Sequence, residues 1–219
     1  GDRPPPVLTG KAGTGKTTFL RRLRSSSSKR MVVTAPTGVA AVNARGVTLH
    51  SFFQLPFGPL IEGRDPQSDH RSRRFSKAKR RLIESLDLLV IDEISMVRSD
   101  VLDGVDEALR RLRRSRRPFG GVQLLMIGDL GQLAPIAREE EQEILRQYYD
   151  SPFFFSSRAL QQTDWLTIEL RHIYRQTDPR FVDLLNRVRE GDLDDRSARL
   201  LESLHRPGFE PPEDEGWII

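Results

Sequence analysis

The stretch "LTGKAGTGKTT" (Leu8–Thr18) follows the apolar "PVL" and runs into "FLRRLR" (Phe19–Arg24). Gly10, Gly15, Lys16 and Thr17 fit the spacing G-x-x-x-x-G-K-[ST], with a strand signal before it and a helix signal after it. Glycines let such a loop fold back so that its N–H groups point inward at an anion, and the helix N-terminus adds its positive end. The loop from Gly10 through Ala12, Gly13, Thr14, Gly15, Lys16, Thr17 and Thr18 is therefore predicted to cradle the phosphates of a nucleotide. Lys16 would reach the β- and γ-phosphates, and the Thr17 hydroxyl would sit on Mg²⁺. The alternative, a chance glycine-rich turn, leaves the joint presence of strand, lysine, threonine and helix unexplained.

The same alternation continues outward. "PVLT" (6–9), "MVVTA" (31–35), "LDLLVID" (86–92), "VQLLMIGD" (122–129) and "WLTIEL" (165–170) read as buried strands. They are nearly all apolar, as parallel strands covered on both faces should be. Val101–Arg117 reads as a helix with Val101, Leu102, Val105, Leu109 and Leu112 on one face and arginines on the other. A second helix is expected over Pro179–Arg189, with Asp178 as its N-cap. Strand–helix alternation predicts an α/β fold: a doubly wound, mainly parallel sheet in three α/β/α layers.

A phosphate loop calls for a carboxylate on the metal side. "LLVIDEIS" places Asp92 and Glu93 where a strand ends, which is where ligands bind in such sheets. Asp92 is expected in the Mg²⁺ shell, and Glu93 is expected to polarise the attacking water. A strand-end acid pair that merely caps a turn is the structural alternative. In "LLMIGDLGQLAP" a further strand ends in Gly128–Asp129, with Gln132 on the turn. A neutral amide there suits sensing of the γ-phosphate or its water; an ordinary Asp/Gly turn explains the same residues. In "LRHIYRQTD" Arg175 is a candidate γ-phosphate contact.

The 219 residues carry 35 Lys and Arg against 31 Asp and Glu, a net +4, and only five of the basic residues are lysine (Lys11, Lys16, Lys29, Lys77, Lys79). The arginine excess fits phosphate gripping or a coding bias equally well. No cysteine is present, which excludes disulfides and thiolate metal sites. No apolar run approaches a membrane span, and no signal peptide is apparent. "SSSS" (25–28) reads as a flexible connector. Residues 54–74 read as a Pro/Gly-rich charged insertion, residues 206–216 as a linker, and "WII" (217–219) as a strand just begun.

Five blocks, in order, resemble the Pif-type helicases of superfamily 1, the RecD-like branch: "TGKAGTGKTT", "VTAPTGVAAVNARGVTLHSFF", "LLVIDEISMV", "RPFGGVQLLMIGDLGQLAPI" and "LRHIYRQTD". The resemblance covers residues 7–191 and implies a first RecA-like motor domain. It implies ATP-driven 5′-to-3′ movement on single-stranded DNA and unwinding of duplex or folded DNA. It gives Lys16, Thr17, Asp92, Glu93, Gln132 and Arg175 the roles above. It makes Thr37 and Gly38 of "TAPTGVAA" a hold on the DNA backbone, with His50 and Phe52 of "LHSFF" a second DNA-facing segment. Such contacts bind phosphate without reading sequence, and aromatic faces stack on any base. Ordinary core packing is the alternative for His50 and Phe52.

By the same resemblance, residues 54–80 are a small basic wedge-like insert carrying Arg64, Arg71, Arg73, Arg74, Lys77 and Lys79; a solvated charged face explains them as well. The run Arg110–Arg117 reads as a solvated helix face. The motor domain is expected over residues 1–205, with 206–219 leading into a second RecA-like domain that would complete the site and the DNA track. The resemblance assigns no residue of this sequence to the family's usual adenine contact. The expected partners are single-stranded DNA and single-strand/duplex junctions, with no membrane. A monomer in a bacterial cytoplasm is expected. An oligomeric regulator or clamp-loader type of ATPase, and a nucleotide-gated binding module, are the alternatives.

Overall fold

The structure, a computed structural model, describes residues 4–61, 75–176 and 178–210. Arg64, Arg71, Arg73 and Arg74 of the expected insert and the strand expected at 217–219 lie outside the described residues. The chain divides into two compact units, Gly1–Arg175 and Gln176–Ile219.

The first unit is built on six strands: β1 (Pro6–Gly10), β2 (Met31–Ala35), β3 (Val47–Thr48), β4 (Leu88–Ile91), β5 (Gln123–Gly128) and β6 (Leu166–Leu170). All pair in parallel, in the order β3-β2-β4-β5-β1-β6. Helices α1 (Lys16–Ser26), α2 (Gly38–Asn43), α3 (Leu49–Phe53), α4 (Lys77–Glu84), α5 (Ser99–Arg113), α6 (Glu139–Leu145) and α7 (Arg158–Gln161) complete it. The α/β fold expected from the sequence is the fold found.

Successive side chains of a strand point to opposite faces, and both faces here are covered. Val7, Leu89, Ile91, Leu124 and Met126 enter one apolar core with Leu49, Phe52 and Phe53 of α3 and Val101, Leu102, Val105 and Leu109 of α5. Their neighbours Leu8, Leu88, Val90, Leu125 and Ile127 enter the other, with Leu20 of α1 and Ala44. This double burial is why β1, β4 and β5 read as unbroken apolar runs. β6 departs from that expectation. It is the last strand in the order, with a neighbour on one side only, and Leu166 remains 54% exposed.

Two other readings change. Ser25 and Ser26 are not a connector: they extend α1, and their hydroxyls donate back to the Arg22 carbonyl at 2.9 and 2.8 Å. The run Arg110–Arg117 is not simply a solvated face. Arg113 donates to the carbonyls of Ile83, Glu84 and Leu86 at the end of α4, and its Nε donates to Gly120 at 2.9 Å. Its planar fork fastens α4 and the "PFGG" turn (Pro118–Gly121) to the end of α5. That turn lies against α5 with Phe119 buried and its N–H donating to the Asp106 carboxylate.

In the second unit, α8 (Pro179–Glu190) starts at Asp178, whose carboxylate accepts from Arg180 N at 2.9 Å, as expected for its N-cap. The following helix, α9 (Asp195–Leu204), is capped by Asp194, and Arg187 bridges Asp183 and Asp194 at 3.0 and 3.2 Å.

Gly120 sits at φ +61°, and a Cβ there would lie 2.7 Å from the Leu109 carbonyl oxygen. Gly120→Ala is expected to destabilise the chain by about 2 kcal/mol or more, read as a lowered urea midpoint at unchanged slope.

Candidate functional site

The strand order decides which chain ends meet. β4, β5 and β1 are adjacent, with Ile91 opposite Met126 and Thr9 opposite Gly128. The loop after β1, the acids after β4 and the turn after β5 therefore emerge side by side at the strands' C-terminal ends, although they are some eighty and thirty-five residues apart in sequence.

In the first loop Gly13 and Gly15 have φ of +80° and +97°, in the region that favours glycine. Thr14 is buried, and its hydroxyl donates to the Lys11 carbonyl at 2.8 Å. The Lys16 ammonium donates to the carbonyls of Gly10 and Lys11, so it is held at the mouth of the loop. α1 begins at Lys16 with no side-chain cap, and Ala12, Thr17 and Thr18 are exposed beside it. The segment after β6 closes on this loop: Tyr174 N donates to the Gly13 carbonyl at 2.8 Å. Arg175 is the next residue and is exposed.

Asp92 and Glu93 follow β4 and are half-buried. Burial pushes the Asp92 carboxyl above its ordinary range, opposed by the Glu93 N–H at 3.0 Å and by the Lys16 charge. Burial also raises Glu93, reinforced by Asp92 and Asp129 and opposed by Lys16. Two carboxylates thus lie at one strand end, with the Lys16 charge opposing the upward shift of both. Glu93 is at φ +52°, ψ +46°, left-handed backbone that a non-glycine residue adopts only when its surroundings impose it. Asp129 is fully buried. Its carboxylate accepts from Gly131 N at 3.1 Å and from Gln132 Nε2 at 2.8 Å, so it aims the Gln132 amide.

A second group lies at the ends of β2 and β3. Thr37 caps α2, accepting from Ala40 N at 3.2 Å, with Gly38 at the first helical position. Gly38, Thr48, His50, Ser51, Gln54 and Phe57 line, with Pro36 and Leu55, an open cavity of about 570 Å³. The ring of Phe57 is 92% exposed and stacks on His50, with centroids 5.4 Å apart and planes at 11°.

For Phe52 the core-packing alternative is the one found, not a DNA-facing position. It is only 4% exposed, inside the core against Phe53, and Lys79 Nζ stands 3.7 Å over its ring. Helix spacing sends Phe52 and Phe53 inward from α3 while His50 stays at the cavity, so Phe52 has no face to offer a base. Phe57 is the exposed aromatic at this cavity. In the sequence it falls within the Pro/Gly-rich stretch 54–74, and the one signal for it is an apolar ring between turn residues, "LPFGP".

A family model described as PIF1-like helicase matches residues 7–199.

The chain belongs to the PIF1-like helicase family.

It is 38% identical over 209 residues to the ATP-dependent DNA helicase PIF1 of Emericella nidulans, covering 91% of this chain and 26% of that protein. It is 35% identical over 197 residues to the human protein of the same name, covering 90% and 29%. Among solved structures, Pif1 helicase from Bacteroides in complex with ADP-AlF3 and ssDNA matches with a TM-score of 0.91 at 44% identity, covering 98% of this chain and 49% of that one. Pif1 helicase from Candida albicans matches at 0.76 and 37%, covering 96% and 46%. The chain thus spans about a quarter of the length of its curated relatives and about half of the solved ones. The shared fold is the RecA-like α/β domain. No helix among the described residues of this PIF1-like helicase chain is long and apolar enough to cross a membrane.

Burial, then the Arg98 charge, holds His50 below its ordinary value of 6.5. The unfolded chain takes up this proton near pH 6.5 and the folded chain only at lower pH, so stability is lost as pH falls from 6.5 through the folded value. Thermal midpoints from pH 7.5 to 5 are expected to fall more steeply in the unmodified chain than in His50→Asn.

Proposed function

We propose that this chain is the ATP-hydrolysing motor domain of a DNA helicase that moves 5′-to-3′ along single-stranded DNA. Unwinding of duplex or structured DNA belongs, in this reading, to the whole protein. The observation that carries it is the convergence of Lys16, the Asp92–Glu93 pair and the Asp129–Gln132 pair at three adjacent strand ends. The Bacteroides relative, solved with ADP-AlF3 and ssDNA, supports both ligands.

The loop Gly10–Thr18 supplies inward N–H groups for the phosphates, and Lys16 supplies the charge on the β- and γ-phosphates. Thr17 and Asp92 are the hard oxygen donors that would hold Mg²⁺; burial of Asp92 beside Glu93 is relieved by such a cation, so the donor set fits. Bound there, the ion would neutralise charge developing on the phosphate oxygens. Glu93 orients the water that adds to the γ-phosphorus as the bond to the bridging oxygen breaks, giving ADP and phosphate. Gln132, aimed by Asp129, contacts that phosphate or its water. Arg175, one residue beyond the Tyr174–Gly13 bond, supplies a cation to the same group.

For DNA, Thr37 and Gly38 contact the backbone, and His50 with Phe57 offers a stacking surface on the cavity. A relative solved at forked dsDNA supports single-strand/duplex junctions as substrates. The motor domain is taken as residues 1–205, with 206–219 leading to a second RecA-like domain that completes the track. A monomer acting in the bacterial cytoplasm completes the reading. The clamp-loader or regulator alternative leaves the Thr37–Gly38 and His50 blocks without a role.

In the full-length protein, Lys16→Ala is expected to abolish binding of a fluorescent ATP analogue. Glu93→Gln is expected to keep binding but lower DNA-stimulated turnover by roughly 10²–10⁴-fold; retained turnover would remove Glu93 from its role. For the 219-residue chain, anisotropy of labelled oligo-dT is expected to show binding that weakens linearly in log–log with salt and favours single strand over duplex. An affinity indifferent to salt and strandedness would sink the DNA reading.

A further inference from the structure

Asp100 is fully buried at the start of α5, and no residue in the functional reading above uses it. Its carboxylate takes a two-pronged ion pair from Arg98: Nε to Oδ1 at 2.9 Å and Nη2 to Oδ2 at 2.7 Å. The pair does not end on itself. Asp100 Oδ2 also accepts from the backbone N–H of Leu60 at 2.8 Å, and Arg98 Nη2 also donates to the carbonyl of Gly58 at 2.7 Å. Arg98 Nη1 reaches Glu141 of α6 at 3.3 Å. The two buried charges therefore grip the backbone at residues 58 and 60, immediately after the exposed ring of Phe57.

A buried ion pair is a poor way to gain stability, because the desolvation of two charges offsets most of their attraction. Apolar side chains of the same volume would fill this space as well. They would not hold a carbonyl and an N–H two residues apart in fixed positions, which a planar fork and a carboxylate do together. Gly58 is at φ +91°, so this short segment turns sharply and has no strand or helix of its own to hold it. Arg98 is itself fixed: its backbone bridges to Phe153, and Ile94, Ser95 and Val97 before it are all buried. It stands five residues after Glu93, on the same short, tightly packed connection from β4 to α5.

We propose that Arg98 and Asp100 are positioning residues for the DNA-contacting surface: by clamping the backbone at Gly58 and Leu60 they hold the Phe57 ring stacked on His50. The inference rests on the reading of His50 and Phe57 as that surface.

The test uses the 219-residue chain and four proteins: unmodified, Phe57→Ala, Arg98→Lys and the double variant. Lysine keeps the charge beside Asp100 but loses the fork that reaches Gly58. Three quantities are measured: affinity for labelled oligo-dT, affinity for a fluorescent ATP analogue, and hydrogen exchange of the Leu60 amide. Phe57→Ala is expected to weaken DNA binding about tenfold, the loss of one stacked base. Arg98→Lys is expected to weaken it by a similar factor and to speed exchange at Leu60 at least about tenfold, the signature of local opening. ATP-analogue affinity is expected to stay within about twofold, since the clamp touches no residue of the phosphate loop. The double variant is expected to bind no more weakly than Phe57→Ala alone, because a positioning residue has nothing left to position.

If the losses multiply in the double variant, or if Leu60 exchange is unchanged while Phe57→Ala binds weakly, the clamp does not position Phe57 and the inference is overturned. If Phe57→Ala binds DNA normally, the surface reading itself fails and takes the inference with it. Should Arg98→Lys not fold, the paired exchange Arg98→Met with Asp100→Leu removes both charges together and is read by the same criteria.

Discussion

At Gly10 a single methyl group would stand 2.5 Å from the carbonyl oxygen of Leu170 and 2.7 Å from the Thr14 hydroxyl. At Gly128 it would stand 2.9 Å from a methyl of Ile94 and 3.0 Å from that residue's backbone nitrogen. These two contacts of backbone with backbone close the gap between β1 and β6 on one side and between β5 and the turn after β4 on the other. The Tyr174–Gly13 bond, the crowding of Asp92 and Glu93 toward Lys16, and the hold of Asp129 on Gln132 all lie just beyond them. Side chains at either glycine would move the phosphate loop and the acids apart, and the electrostatics of the site decay with that distance.

The long helix α5 does a second job besides filling the core. Its apolar face packs on the sheet, while acids at spacings of three along it anchor the loops around it. Asp100 holds Leu60 and Arg98; Asp103 accepts from Tyr149, Ser157, Arg158 and Ala159; Asp106 accepts from Phe119 and pairs with Arg110 at 2.7 Å. Buried carboxylates persist only when such donors replace the water they lose. The loop carrying Phe57, the segment from Tyr149 to Ala159 and the "PFGG" turn are thus all tied to one helix.

Part of the arginine excess has the same explanation, which is neither phosphate gripping nor composition alone. Arg113 fastens three carbonyls at the end of α4, Arg24 donates to the carbonyls of Ala44 and Arg45 behind α2, and Arg98 holds Gly58. Helix ends leave carbonyls without partners, and a guanidinium with five donors in one plane satisfies several at once. A lysine at these positions brings charge but not the geometry.

Four strands of the sheet were legible in the sequence, because strands buried on both faces are apolar throughout and β1, β2, β4 and β5 announce themselves in that way; β3, only two residues long, carries no such signal. The sequence by itself determined the phosphate loop and the strand-end acids, because glycine, lysine, threonine and carboxylate at those spacings serve a local geometry. It also set the Asp178 cap, which acts over two residues. The tertiary structure alone decided the rest. Whether His50 or Phe52 faces outward depends on which side of α3 meets the core, and "LHSFF" is compatible with either; Phe57 lies beyond that helix, and its exposure is set by the turn at Gly58. Whether Leu166 and Ile168 are covered depends on the place of β6 in the strand order. The Arg98–Asp100 clamp joins residues forty positions apart, through hydrogen bonds to backbone groups, and backbone groups carry no signature in the sequence of side chains.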